Sequence, residues 1–207
     1  MDISSLAQEY LKGLKIDNKI QQFPKASKYF IGLIGSYGVG KSTIAKMLSE
    51  KLGFLVVSSD DCRRMLDKKK MPYEEIDDNK IIFIIGSKVI KELMKRNLSI
   101  ILDADLIEPH FREAIKKRVE ENGYSFLLIN IISDKYITEK RINVRLRNET
   151  SDYLKKNMKK HFVERQNIHL MHKLPPVFFT FNTCKDLESQ IKNFLRKFTS
   201  SSNNKSG

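Results

Sequence analysis

Three glycines, a lysine and a hydroxyl fall together in Gly35-Ser36-Tyr37-Gly38-Val39-Gly40-Lys41-Ser42, which reads G-x-x-x-x-G-K-[ST]. The stretch follows the apolar run Tyr29-Phe30-Ile31-Gly32-Leu33-Ile34 and leads into Thr43-Ile44-Ala45-Lys46-Met47-Leu48, so it joins an expected strand to an expected helix. That is the setting a phosphate-binding loop needs. Glycines let successive N–H groups converge on phosphate oxygens, and the start of the following helix adds partial positive charge. Gly35 through Thr43 would cradle a nucleoside triphosphate, with Lys41 reaching its β- and γ-phosphates and the Ser42 hydroxyl ligating Mg²⁺. A plain glycine turn leaves Lys-Ser unexplained, and the spacing is not the G-x-G-x-x-G of a dinucleotide fold.

Carboxylates and arginines recur where such a loop can use them. Asp103 ends the apolar run from Leu98 to Leu102, where a strand-end carboxylate can approach Mg²⁺; Asp105 lies two residues on and would share the site or face the substrate. Asp60 and Asp61 follow a second apolar run, Phe54 to Ser58. Phosphoryl transfer to an alcohol needs a carboxylate to orient the hydroxyl and accept its proton, and either residue could serve, the other capping the helix that starts at Cys62. Arg63 and Arg64 would then stand at a helix start, where cations are unfavourable, which points to an acceptor phosphate or another anion. Arg141 and Arg145 share one helix face, placed to stabilise charge on a transferring phosphoryl group. The histidines His110, His161, His169 and His172 show no ligand spacing and read as surface or packing residues.

The elements that would carry these groups alternate. Apolar residues from Ile3 to Leu14 at helical spacing, within residues 3 to 22, predict an amphipathic helix ahead of the first strand. Then come strand, loop, helix to Leu52 with Gly53 as its cap, and the second strand. A helix opened by Pro72 runs to Arg96, a strand ends on Asp103, and Pro109 opens a helix closed by Gly123. Tyr124 to Ile132 is the fourth strand. Asp134 caps a helix through Arg145, Ser151 or Asp152 starts another to His169, and Val177 to Phe181 is the fifth strand. A last helix covers Asp186 to Phe198, and Ser200 to Gly207 reads as a disordered tail. Alternation of this kind predicts α/β architecture, a parallel sheet covered on both faces.

Composition bounds the rest. A hydrophobic fraction of 41% and a charged fraction of 30% suit a soluble globular domain. No apolar run approaches a membrane span, no secretion signal is visible, and two cysteines without a C-x-x-C suggest a reducing, cytoplasmic setting. The net charge is +13, and from Lys135 onward 16 Lys and Arg face 6 Asp and Glu, a balance of +10. A basic third suggests an anionic partner: nucleotide, phosphorylated substrate or nucleic acid.

Taken together, Gly35-x4-Gly40-Lys41-Ser42-Thr43, Ser59-Asp60-Asp61-x-Arg63, Leu102-Asp103-Ala104 before a Pro-led helix, and Arg141-x3-Arg145 before Ser151-Asp152 resemble one group of P-loop kinases. The group includes polynucleotide 5′-hydroxyl kinases, zeta-toxin-type sugar nucleotide kinases and chloramphenicol phosphotransferase. The resemblance covers about residues 29 to 170 and leaves the N-terminal helix outside. It implies an adenylate-kinase-like three-layer sandwich with a five-stranded, mostly parallel sheet and a helical lid over about 134–170. It also implies ATP with Mg²⁺, Asp60 as the base, Arg63 on the acceptor, and Arg141 and Arg145 as lid arginines. Asp60 is favoured over Asp61 because the family's reactive Asp sits three before its Arg. Many relatives carry Asp-x-Thr-Asn where this chain has Asp103-Ala104-Asp105-Leu106, so acceptor contacts there differ. The implied activity is ATP-dependent phosphorylation of a hydroxyl on a small molecule, nucleotide or polynucleotide end. The alternatives are an ATP-switched nucleic-acid-binding protein and a nucleotide hydrolase.

Overall fold

The computed structural model describes residues 2–14, 28–69, 78–149 and 152–203. The elements run α1 (Ile3–Gly13), β1 (Tyr29–Ile34), α2 (Lys41–Leu52), β2 (Leu55–Ser58), α3 (Ser59–Lys68), α4 (Asp78–Lys95), β3 (Ile100–Asp105), α5 (Pro109–Glu121), β4 (Ser125–Ile132), α6 (Lys135–Asn148), α7 (Asp152–Met171), β5 (Phe179–Asn182) and α8 (Leu187–Asn203). The strands form one sheet in the order β2-β3-β1-β4-β5, and every pairing is parallel. Short apolar strands alternating with helices leave no other arrangement, because each parallel connection must cross over a sheet face.

Successive strand residues supply the two cores. Phe30, Ile34, Ile100 and Leu102 face the layer of α1, α3, α4 and α5; Ile31, Leu33, Ile101 and Phe181 face α2 and α8. The result is a three-layer α/β sandwich with a helical lid and an additional N-terminal helix. β1 lies at its centre, with β3 on one side and β4 on the other, so the loop after β1 opens at the C-terminal edge where the strand order reverses.

α1 covers the edge of β2. Its Leu6, Ala7 and Tyr10 are buried against the α4 layer, and the Tyr10 hydroxyl donates to the Ser58 carbonyl (3.1 Å) and accepts from the Ser58 N–H (2.9 Å). β2 is an edge strand, and one phenol satisfies both main-chain groups of its last residue.

Several boundaries differ from the sequence expectation. The N-terminal helix ends at Gly13, and the part of the expected helix from residue 15 onward lies outside the described residues, as does the Pro72 start of α4. β3 does not stop on Asp103 but continues to Asp105. α3 is capped by Ser58, whose side chain accepts from the Asp61 N–H, so neither Asp60 nor Asp61 is the cap. α8 runs into the expected tail as far as Asn203, with the Thr199, Ser200 and Ser201 hydroxyls each donating to the carbonyl four residues back; the rest of that tail, 204–207, lies outside the described residues. Asp134 caps α6 as expected, accepting from the Tyr136 and Ile137 N–H groups. Among the described residues no helix is long and apolar enough to cross a membrane.

Candidate active site

One cavity of about 690 Å³ opens above the C-terminal ends of β1, β2 and β3. Gly38, Gly40, Lys41, Ser42 and Thr43 form its phosphate end. α2 starts at Lys41 with Gly40 as its N-cap and no capping side chain, so the first N–H groups of a 12-residue helix keep their hydrogen-bonding capacity for a ligand. Gly40 has φ 104°, and a Cβ there would meet Thr183 Cγ2 at 3.0 Å; Gly38 has φ 82°, with Ile142 Cγ1 2.7 Å from the same probe position. Any side chain at either position would strain the backbone and collide with the lid or with the loop after β5.

Lys41 Nζ donates to the Gly35 and Ser36 carbonyls at 2.8 and 3.1 Å, folding the ammonium over the loop. The Gly35 N–H is turned to Asp105 Oδ1 at 3.2 Å, so this amide braces the loop from β3. Gly35, Ser36 and Val39 shape the loop without lining the cavity, whereas Tyr37, Gly38, Gly40, Lys41, Ser42 and Thr43 line it.

Asp103 is buried beside Ser42, whose hydroxyl hydrogen-bonds to it. Burial pushes the Asp103 carboxyl above its usual range, against the Ser42 hydrogen bond and the Lys41 charge, with Asp60 and Asp61 adding to the rise. A hard-oxygen pair of hydroxyl and carboxylate at the phosphate end suits Mg²⁺, which takes few protein ligands and fills its remaining positions with phosphate and water. Among the described residues no group of three or more His, Cys, Asp and Glu side chains is placed to hold a metal.

Asp60 lines the cavity within reach of the Lys41 charge. Its Oδ2 accepts from Arg145 Nη2 at 2.7 Å and its Oδ1 from Arg63 Nη1 at 3.3 Å, with the side chain 31% exposed on the cavity wall. Burial would raise its carboxyl, but Arg145, Arg63 and Lys41 outweigh burial and hold it below the usual range. Asp61, expected to touch the acceptor, is exposed and does not line the cavity; its carboxyl is pushed up by partial burial and by Asp60. Arg64 pairs with Glu149 at 3.3 Å. The anions that offset the cations in the first half of α3 are therefore protein carboxylates, Asp60 for Arg63 and Glu149 for Arg64.

The two lid arginines differ. Arg145 reaches Asp60 and lies over the Tyr37 ring at 5.6 Å, while burial, with Asp60 adding to it, pushes the Tyr37 phenol up to about 12. Arg141, one turn earlier on α6, donates to Thr183 Oγ1 (2.8 Å), the Thr183 carbonyl (3.2 Å) and the Val39 carbonyl (3.4 Å). Thr183 also donates its hydroxyl to Val39 O at 2.7 Å, so Arg141 and Thr183 pin the lid and the loop after β5 to the phosphate loop.

Three contributors escaped the sequence reading. His169 was grouped with packing histidines, yet its Nε2 lies 2.7 Å from Asp105 Oδ2 and ties α7 to the end of β3. Asp105, whose carboxyl is driven up by burial but held lower overall by His169, Lys41 and the Gly35 amide, thus links lid and loop. Thr183 and Tyr10 were the other two, and no local signal marks either. The side chain of His161 lies outside the described residues.

A family described as an AAA domain matches residues 30–167. The chain is 33% identical over 108 residues to the "Putative adenylate kinase" of Methanocaldococcus jannaschii, an alignment covering 45% of this chain and 59% of that protein. It is 26% identical over 136 residues to the "Probable gluconokinase" of Schizosaccharomyces pombe, covering 63% of this chain and 68% of that one. The chain thus spans about three-fifths of the first relative's length. Among solved structures, the APS kinase CysC of Mycobacterium tuberculosis in complex with AMPPNP and APS superimposes with a TM-score of 0.57 at 14% identity, over 84% of this chain and 98% of that one. At that identity the likeness establishes the fold, which is that of the P-loop kinases.

Proposed function

The chain belongs to the AAA domain family, and from that premise we propose that it is an ATP-dependent kinase that moves the γ-phosphoryl group onto a hydroxyl acceptor. The observation that carries this reading is the position of Asp60: one cavity wall holds this carboxylate, the Lys41 ammonium and the uncapped start of α2. A carboxylate at this place could orient either water or an alcohol; the apolar chamber beside it favours an alcohol.

Lys41 and the loop amides hold the donor phosphates. Ser42 and Asp103 would hold Mg²⁺, which when bound neutralises charge on the phosphate oxygens. Asp60 accepts a hydrogen bond from the acceptor hydroxyl; as the new O–P bond forms and the β–γ bridge breaks, the hydroxyl proton passes to Asp60 and ADP departs. Arg145 covers Asp60, with Nη2 2.7 Å from Oδ2. Donor phosphates compete for that guanidinium, and when Arg145 leaves, Asp60 loses its largest stabilising charge and becomes a better proton acceptor. Arg63 stays beside Asp60 to fix its rotamer. Arg141 holds the phosphate loop in shape through Thr183, a positioning role in place of the direct one read from its spacing.

The test is incubation with γ-labelled ATP and a panel of oligonucleotide 5′ ends, nucleosides, sugars and small alcohols, comparing wild type with Asp60→Ala. The reading expects label on at least one acceptor and a loss on the order of 10²- to 10⁴-fold in the variant. Free phosphate released at one rate whatever the acceptor, and unchanged in Asp60→Ala, overturns it in favour of a hydrolase.

A further inference from the structure

The acceptor end of the cavity has a chemistry of its own. On α4, Ile82, Gly86 and Ile90 fall four apart and present one face to it; on α5, Phe111 and Ile115 do the same; Ile168 of α7 faces them. Phe83 and Phe111, with ring centroids 5.7 Å apart, stay 44% and 39% exposed, large apolar surfaces turned toward open volume. The charged groups on these walls do not favour a polyanion. Among the described residues the cations on the lining are Lys41, Arg63, Arg64, Arg141 and Arg145; Arg141 is held by Thr183 and Arg145 by Asp60. Arg63 and Arg64 are engaged by Asp60 and Glu149, and Glu108 and Glu164 place two more carboxylates on the lining.

Resting on the kinase reading above, we propose that the acceptor is an uncharged or weakly charged alcohol with an apolar, ring-sized body, its hydroxyl at Asp60 and its body between α4, α5 and Ile168. Apolar walls with a few convergent polar groups at one end are how small-molecule sites fix orientation: the body partitions into the chamber and the polar end is steered. A sugar or a polynucleotide end would leave its hydroxyls or phosphates against isoleucine and phenylalanine, unpaired. This proposal departs from the sequence expectation of an anionic acceptor.

Gly86 provides the test. A Cβ built there meets no heavy atom within 4 Å, so a larger side chain projects into open space and replaces a poor helix former with a good one. The probe is 2-(2-naphthyl)ethanol, followed by its fluorescence in the presence of ADP, with wild type, Gly86→Ala and Gly86→Leu compared. Saturable binding to wild type, weakened on the order of tenfold in Gly86→Leu and less in Gly86→Ala, with ADP affinity and melting temperature retained, is the expected result. No saturable binding, or equal binding by wild type and Gly86→Leu, overturns the proposal. The two readings fail separately. Label passing from ATP to gluconate or to an oligonucleotide while the naphthyl alcohol does not bind removes the apolar acceptor and leaves the kinase. Alcohol binding that is lost in Gly86→Leu, with no label reaching any acceptor in the panel, removes the kinase and leaves the chamber.

Discussion

The phosphate end of the cavity comes from one unbroken stretch of chain, whereas the acceptor end is assembled from α3, α4, α5 and α7, elements more than a hundred residues apart at the extremes. The first end works through main-chain geometry: the left-handed glycines Gly38 and Gly40, an uncapped helix start, and a lysine folded onto loop carbonyls. The second works through side chains, apolar walls around the Asp60–Arg145 and Arg64–Glu149 ion pairs. Donor grip therefore tolerates little substitution of its own backbone, and acceptor choice can change by swapping side chains without touching the loop. The two ends meet at Asp60, which is the residue that both must agree on.

The comparison sharpens most if one end is removed without the other. Lys41→Ala takes the ammonium from the donor phosphates, and ATP turnover should fall on the order of 10³-fold while naphthyl alcohol binding persists. Parallel titrations with ATP and the alcohol check this; loss of both together would mean that the ends are not separable. Tyr10→Phe acts from behind the acceptor end. It leaves the Ser58 N–H and C=O without their phenol partner and should cost about 1–3 kcal/mol in denaturant unfolding. It should also disturb the acceptor KM more than the ATP KM, because Ser58 caps the helix carrying Asp60 and Arg63.

What the sequence disclosed follows the same division. The loop, its strand and its helix were legible because periodicity and glycine spacing are local, and the fully buried β1 and the half-buried β4 announced themselves as apolar runs. The place of Asp60 on the cavity wall is read only by joining four motifs, since an Asp after a strand is ordinarily a cap; here Ser58 takes that role. His169 and Thr183 could not be read at all. Each becomes functional through a contact made 64 and 144 residues away, with Asp105 and the Val39 carbonyl respectively, and neither contact leaves a trace in local pattern. Tyr10 was placed correctly on a buried face, yet its hydroxyl, which matters most, is invisible to hydrophobic periodicity.

Smaller effects probe the seam between the ends. His169→Ala breaks the link from α7 to Asp105 and should lower stability by about 1 kcal/mol, with ATP KM rising modestly because Asp105 also braces the Gly35 amide. His169→Gln, able to hydrogen-bond the same carboxylate, should recover much of the loss in the same melts. The smallest effect is in pH. Asp60 is held below the usual carboxylate range in the folded protein, so its contribution to stability is present above that range and is lost as pH falls through the depressed value. The melting-temperature advantage of wild type over Asp60→Asn should thus be full at neutral pH and shrink below about pH 4. An advantage that grew on acidification would reverse the sign assigned to the Asp60–Arg145 pair.

The account turns on Asp60 facing the end phosphorus of a bound triphosphate. A crystal structure with a non-hydrolysable ATP analogue and Mg²⁺ addresses this directly. The predicted result is Arg145 moved from Asp60 to the phosphates, with the Asp60 carboxylate open to a hydroxyl that would lie about 2.6–3.2 Å from it, in line with the γ-phosphorus. An analogue seated on the loop with Asp60 still paired to Arg145, or separated from the γ-phosphate by intervening side chains, would contradict it.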